Sequence, residues 1–253
     1  MRTVAIIQAR VGSTRFPNKV LTKLNRDTAL DIMLSRVKRC TRLDDIIVAI
    51  PDTKNNDLLS DHLKKKHIEC FRGSEHDVLK RFAQCQTQNN IDITVRLTAD
   101  CPFIEPKIID NLIEEHVITN ADYSKLSQKY AEGLDVEVIN AEAIYTANQN
   151  ATRASEREHV TLYLNNYAQS FYIHTLDQHR DDSDIRITFD TVEDHDLLNA
   201  VAKKFSNRLT LVTVDEIISF IRGTPSLYKI NSHIVRNHGL LSSIIEEKIS
   251  QKH

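Results

Sequence analysis

Glycine is scarce in this chain, five residues in 253, where average usage of about 7% would supply roughly 18. Each glycine therefore marks a place where the backbone needs it. Gly12 follows the first apolar run, Gly73 follows the third, and Gly133 precedes LDVEV. The four cysteines, Cys40, Cys70, Cys85 and Cys101, form no CxxC pair and share no spacing, which argues against a zinc site or a disulfide framework and reads as reduced core thiols. No apolar run approaches the roughly 20 residues that cross a bilayer, and the apolar part of MRTVAIIQAR is too short for a secretory segment. A cytoplasmic protein without a membrane partner is expected. Neither GxxxxGK[ST] nor GxGxxG occurs, so the two familiar phosphate loops are absent.

What is present is an ordinary globular composition, 41% hydrophobic and 27% charged, with an uneven charge distribution. Residues 1–40 hold nine Lys/Arg against two Asp/Glu; the remainder holds 24 against 33. A basic segment on an otherwise acidic chain suits a small polyanion better than a nucleic acid, which asks for a broader basic surface. No nucleic-acid partner is expected.

Short β-branched runs alternate with amphipathic segments, the pattern of parallel strands joined by crossover helices. TVAIIQA, DIIVAI, IECF and DITVRLTA read as strands; ALDIMLSRVKR, NDLLSDHLKKK, DVLKRFAQCQTQ and the segment opening at Pro106 read as helices. After about residue 120 a hairpin is expected from ADYSKLS and GLDVEVI, then helices at AEAIYTANQ and EREHVTLYLNNY, a strand at DIRITFD, and helices at DHDLLNAVAKKF and VDEIISFIR. With no internal repeat and no low-complexity linker, residues 1–253 are expected to form one domain.

The loop after the first strand carries Arg10, Gly12, Ser13, Arg15 and Lys19, which can wrap phosphates with backbone N–H groups and neutralise them. Asp100 and Asp190 stand at equivalent strand ends, Asp100 past VRLTA and Asp190 closing RITFD. Each reads as a ligand for a hard cation or as a turn or N-cap aspartate. In GLDVEV, Asp135 and Glu137 share one strand face, suited to sugar hydroxyls or to plain solvent. Asp77 could equally cap the helix that follows it.

AIIQARVGSTRFPNKVL, FRGSEHDVLKRF, VRLTADCPFIEP, GLDVEV, EREHVTLY and ITFDTVEDHDLL, in that order, resemble the sugar nucleotidyltransferases that make CMP-activated acidic sugars, closest to the branch named after spore coat polysaccharide biosynthesis protein F. The resemblance implies an α/β, Rossmann-like nucleotide-diphospho-sugar transferase fold with a mostly parallel central sheet flanked by helices. It implies a cytidylyltransferase that uses CTP, an acidic sugar and Mg²⁺. Arg10, Arg15, Lys19 and Asp100 become the catalytic candidates, and Asp100 and Asp190 the metal ligands. Ala9, Gly12, Ser13, Arg72, Ser74, Asp77 and Thr98 become candidates for nucleotide binding. Asp135, Glu137, Arg157 and His159 are assigned to the acceptor, within an excursion over residues 122–175 that also serves a homodimer. Rivals are a nucleotidyltransferase with another triphosphate or acceptor, a glycosyltransferase using the DxD Asp182-Ser183-Asp184, and a non-catalytic nucleotide binder.

Overall fold

The computed structural model describes residues 1–13 and 15–250. β1 (Thr3–Gln8) leads through a small antiparallel hairpin, β2 (Lys23–Leu24) and β3 (Asp27–Thr28), into α1 (Ala29–Val37). Then come β4 (Asp45–Pro51), α2 (Asp57–Lys65), β5 (Glu69–Gly73), α3 (Val78–Gln88), β6 (Ile93–Thr98) and α4 (Pro106–Thr119). β7 (Tyr123–Leu126) and β8 (Val136–Asn140) form the expected antiparallel pair, followed by α5 (Ala141–Asn150), α6 (Ala154–Glu158), α7 (Leu162–Asn166) and β9 (Ile173–Leu176). α8 (Val192–Lys204), α9 (Val214–Arg222), α10 (Pro225–Asn231) and α11 (His238–Ser250) complete the order.

Seven strands make one sheet in the order β5-β4-β1-β6-β8-β7-β9, parallel from β5 to β6 and interrupted by antiparallel β8. β1 reads TVAIIQ with five of its six residues buried because both of its faces are covered. Ala5 and Ile7 pack with α1, α4, α8 and α9, whereas Val4 and Ile6 pack with α3 and α5. The chain runs from β1 outward to β4 and β5, then returns to place β6 on the other side of β1. Strand order reverses there, so the carboxyl ends of β1 and β6 flank the crevice in which open α/β sheets bind ligands. No helix among the described residues is long and apolar enough to cross a membrane.

Two segments differ from the sequence reading. EREHVTLYLNNY is two short helices rather than one, broken where Val160 takes φ +40°. Such a conformation strains a β-branched residue; Val160 is nonetheless buried in the core beneath α3 and α5, and the break turns both His159 and Thr161 toward one cavity. DIRITFD is extended but joins no ladder beyond a single bridge between Glu132 and Arg186. It buries Ile185, Ile187 and Phe189 as a strand would. Its hydrogen bonds, however, go to loops: Ile187 N donates to Glu132 O at 2.7 Å and Phe189 N to Asp100 O at 2.8 Å.

His116 of α4 ties that helix to the hairpin, with Nδ1 2.8 Å from Ser124 Oγ and Nε2 3.0 Å from Asn140 Oδ1. Burial lowers its pKa; Asn140 and Asp122 oppose the shift and His174 adds to it. The unfolded chain therefore takes up this proton first. The stability of the neutral ring is complete above about pH 6.5 and is lost as pH falls through that value toward the folded pKa. His116→Gln is expected to flatten the fall in urea midpoint between about pH 7 and pH 5; an unchanged slope would contradict this assignment.

Candidate active site

A cavity of about 540 Å³ opens at the carboxyl ends of β1 and β6, within the range of small-molecule sites. The cationic loop forms one wall and is pinned at both ends. Val11 N donates to Asn56 Oδ1 at 3.1 Å, and Asn18, in the left-handed region at φ +59°, donates its N–H to Val11 O at 3.0 Å. Phe16 packs edge-on against Phe189 with ring centroids 5.0 Å apart, fastening the loop to the segment that ends in Asp190.

Lys19 opens a one-turn helix (Lys19–Leu21), and its Nζ lies 3.1 Å from Asp100 Oδ2 and 2.5 Å from Asp190 Oδ1. Arg15 reaches the other oxygen of Asp190 at 3.3 Å. Two aspartates 90 positions apart thus converge on one cation, because Phe189 N and Thr188 Oγ1 both bond to Asp100 O. Burial would lower the Lys19 pKa, but Asp100 and Asp190 outweigh it and raise it. Burial would likewise raise the Asp100 carboxyl, yet chiefly through Lys19 it is held at about 2. Behind them Arg186 brackets Asp194 with two hydrogen bonds of 2.8 Å, and Asp194 Oδ2 accepts from Asp190 N at 2.9 Å. This buried pair fixes the backbone that presents Asp190.

Of the residues singled out from the sequence, Ala9, Arg10, Ser13, Arg15, Lys19, Thr98, Asp100, Asp135, Glu137, His159 and Asp190 all line this cavity. Asp135 faces its interior, solvent-exposed yet surrounded by the cavity walls. Desolvation lifts its carboxyl to about 6; the Gly133 N–H and Arg236 oppose the shift, and Asp100 and Glu132 add to it. Glu137 also lines the cavity but is already engaged, accepting from Arg96, Tyr123 and Thr161. Gly12 lies on the loop without lining the cavity.

Arg72, Ser74, Asp77 and Arg157 lie outside the cavity, Arg72 apart from the other three. Arg72 pairs with Asp52 and Asp57 at 3.0 and 2.8 Å. Asp77 caps α3 through Lys80 N at 2.9 Å, and its other oxygen takes Arg157 Nη2 at 2.6 Å. Ser74 Oγ accepts from Asp77 N at 3.1 Å. The Arg157–Asp77 contact clamps α3 to α6 outside the cavity. In the DxD triplet, Asp182 is buried and accepts from Arg180, Arg222 and Gln178, while Asp184 pairs with Arg222; neither aspartate lines the cavity.

Sequence reasoning passed over Arg81, Lys125 and Arg236, all of which line the cavity. Arg81 is 3% exposed and its Nε has no partner among the described residues. Burial, with Arg10 adding, pulls its pKa down to about 10. It stood inside the quoted FRGSEHDVLKRF, four places after Asp77, where a helix brings i and i+4 to one face. Nothing in the sequence pointed to Arg236.

With that geometry in view, the comparisons with known proteins can be placed. Residues 4–220 match the family model described as cytidylyltransferase. Spore coat polysaccharide biosynthesis protein SpsF of Bacillus subtilis (strain 168) is 33% identical over 227 residues, covering 87% of this chain and 94% of that protein. The mitochondrial 3-deoxy-manno-octulosonate cytidylyltransferase of Arabidopsis thaliana is 30% identical over 149 residues, covering 53% of this chain and 47% of that protein. The structure of a cytidylyltransferase from Leptospira borgpetersenii serovar Hardjo-bovis (strain JB197) superposes with a TM-score of 0.86 at 28% identity, covering 94% of this chain and 100% of that one. A cationic loop after the first strand, facing paired aspartates at the sheet's switch point, is thus carried on a sequence and a fold that both match one group of enzymes: the chain belongs to the cytidylyltransferase family.

Proposed function

We propose that this enzyme transfers CMP from CTP to a hydroxyl of an acidic sugar and releases pyrophosphate, with Mg²⁺ required. The observation that carries the reading is the Lys19 ammonium held between Asp100 and Asp190, 3.1 and 2.5 Å from their oxygens, on the wall that also bears Arg10 and Arg15. Three cations on one loop suit a triphosphate of about four negative charges, whose leaving pyrophosphate gains charge as it departs.

The two aspartates also suit Mg²⁺. They supply hard carboxylate oxygens that already converge on one cation, the ammonium standing where a divalent ion would sit, and such a site is completed by phosphate oxygens and water. Asp100 and Asp190 would hold the ion, which when bound polarises the phosphate and neutralises developing charge. The chain's own groups do the rest. Arg10, Arg15 and Lys19 bind and orient the phosphates; the acceptor hydroxyl attacks the α-phosphorus in line and loses its proton to solvent, a new P–O bond forms, and the bond to the β-phosphate oxygen breaks, releasing pyrophosphate. Positioning and charge neutralisation supply most of the rate.

A pyrophosphate-release panel crossing four nucleoside triphosphates with nonulosonic and octulosonic acids tests this. Turnover with CTP and at least one acid, dependent on Mg²⁺ and abolished by chelation, is expected. Release with GTP alone, or only with a neutral sugar phosphate, would replace the reading by that of another nucleotidyltransferase. The proposal includes a homodimer built on residues 122–175, which light scattering would register as twice the 29.0 kDa of one chain, and a cytoplasmic location.

A further inference from the structure

The match to the family model ends at residue 220, yet residues 236–240 form one wall of the cavity. The segment is moored at several points. Arg236 Nη1 donates to the carbonyls of Gln128 and Tyr130, both at 2.9 Å, and Asn237 N donates to Glu132 Oε1 at 3.0 Å. Farther along α11, Ser243 Oγ donates to Glu158 Oε2 at 3.1 Å and lies 3.0 Å from His159 Nε2, and Ser155 Oγ donates to Glu247 Oε2 at 2.6 Å. α11 thus spans the cavity mouth from the loop after β7 to α6.

Two cations that line this part of the cavity form no salt bridge among the described residues, although the Asp135 carboxyl also lines it and feels the charge of Arg236. Arg96 is paired with Glu137, and Glu132 with Arg186. Lys19, at the other end, is paired with Asp100 and Asp190. Lys125, by contrast, has only a neutral partner, Asn165 Oδ1 at 2.5 Å, and Arg236 only the two carbonyls; among the described residues neither forms a salt bridge. The loop that follows Lys125 carries both carbonyls that hold Arg236, and a Cβ added at Gly239 would lie 3.8 Å from Arg15 Nη2, so the same segment also borders the cationic loop. Two cations without a salt bridge beside one cavity suit an anion, and a guanidinium whose Nε and Nη2 make no hydrogen bond among the described residues offers a fork matched to a carboxylate.

We infer that Lys125 and Arg236 bind the carboxylate of the acceptor, and that the segment beyond the family-wide region, residues 236–243, is the element by which this enzyme selects an acidic sugar. This deepens the proposed function and rests on it. The match to the family model stops short of this segment, which lines the cavity and also borders Arg15.

The test is steady-state pyrophosphate release from CTP with 3-deoxy-manno-octulosonate and N-acetylneuraminate as probes, for wild type, Arg236→Ala, Arg236→Lys and Lys125→Met. In Arg236→Ala and Lys125→Met the acceptor KM is expected to rise about tenfold or more, the loss of one charge-assisted contact, with the CTP KM within about twofold of wild type. Arg236→Lys should fall between, since it keeps the charge and loses the fork. An acceptor KM within about twofold of wild type in both single variants overturns the inference while leaving the cytidylyltransferase reading intact. A wild type that releases no pyrophosphate with either acid overturns the acidic-acceptor reading, and the inference with it.

Discussion

Asp100→Asn is expected to lower kcat for pyrophosphate release by about 10³-fold, the scale on which single groups that stabilise transition-state charge act. The amide matches the carboxylate in shape, so the loop, the β6 end and the Phe189–Asp100 backbone bond at 2.8 Å should all persist. What disappears is one of two anionic oxygens facing the Lys19 ammonium. A site for Mg²⁺ left with Asp190 alone loses half of its protein charge, and Lys19, freed from Asp100, is drawn more tightly to Asp190. The variant should unfold at nearly the wild-type urea midpoint, which separates a chemical defect from a folding one. Turnover within about tenfold of wild type would mean that Asp100 holds no metal and serves only to anchor Lys19.

Gly133→Ala is expected to be the most damaging small substitution in the chain. Gly133 has φ +101°, in the region that favours glycine, and an added Cβ would lie 2.4 Å from Thr188 N, 2.5 Å from Ile187 C and 2.7 Å from Ile187 O. All three are backbone atoms, so no rotamer change relieves the overlap. The two segments are also hydrogen-bonded, with Glu132 N donating to Ile185 O at 3.0 Å and Ile187 N to Glu132 O at 2.7 Å. Separating them breaks those bonds and displaces the stretch that ends in Asp190. A stability loss of about 3 to 5 kcal/mol by urea unfolding is expected. Where the variant remains folded, kcat should fall by about 10²-fold, because misplacing a positioned group by about 1 Å has that effect. Wild-type stability and rate together would show that the 187–190 stretch yields freely.

These two predictions mark what could and could not be read from the sequence. The parallel strands were readable because β1, β4 and β6 are buried on both faces and so appear as unbroken apolar runs. Gly133 was noticeable by scarcity, but that it lies against the backbone of Thr188 is a tertiary fact. The meeting of Asp100 and Asp190 came from motif resemblance; no spacing rule joins residues 90 apart, and it is Phe189 bonding to Asp100 O that brings them together. The helix break at Val160 was hidden because the helical pattern continues through it, and only Thr161 reaching Glu137 at 2.8 Å, together with a buried Val160, explains the turn. Asp77 and Arg157 sit in matching motifs and do meet, but each satisfies the other outside the cavity. Lys125 and Arg236 escaped because the absence of a charged partner is a property of the folded surroundings, which no local pattern encodes.

The same contrast explains how the site is built. The end proposed for the nucleotide is assembled from strand ends and a loop pinned by Asn56 and Phe16. The end proposed for the acceptor is lined by residues of the broken helix at α6 and α7 and of α11, which is attached mainly by side-chain hydrogen bonds.

The central claim is that the triphosphate of CTP lies on the Arg10, Arg15 and Lys19 loop opposite a divalent ion held by Asp100 and Asp190. Anomalous diffraction from crystals grown with CTP and Mn²⁺ measures this directly. The account predicts a metal peak within coordination distance of both aspartates, with Lys19 Nζ moved from the carboxylates to a phosphate oxygen. A peak elsewhere, or CTP bound with Lys19 still seated between Asp100 and Asp190, would contradict it.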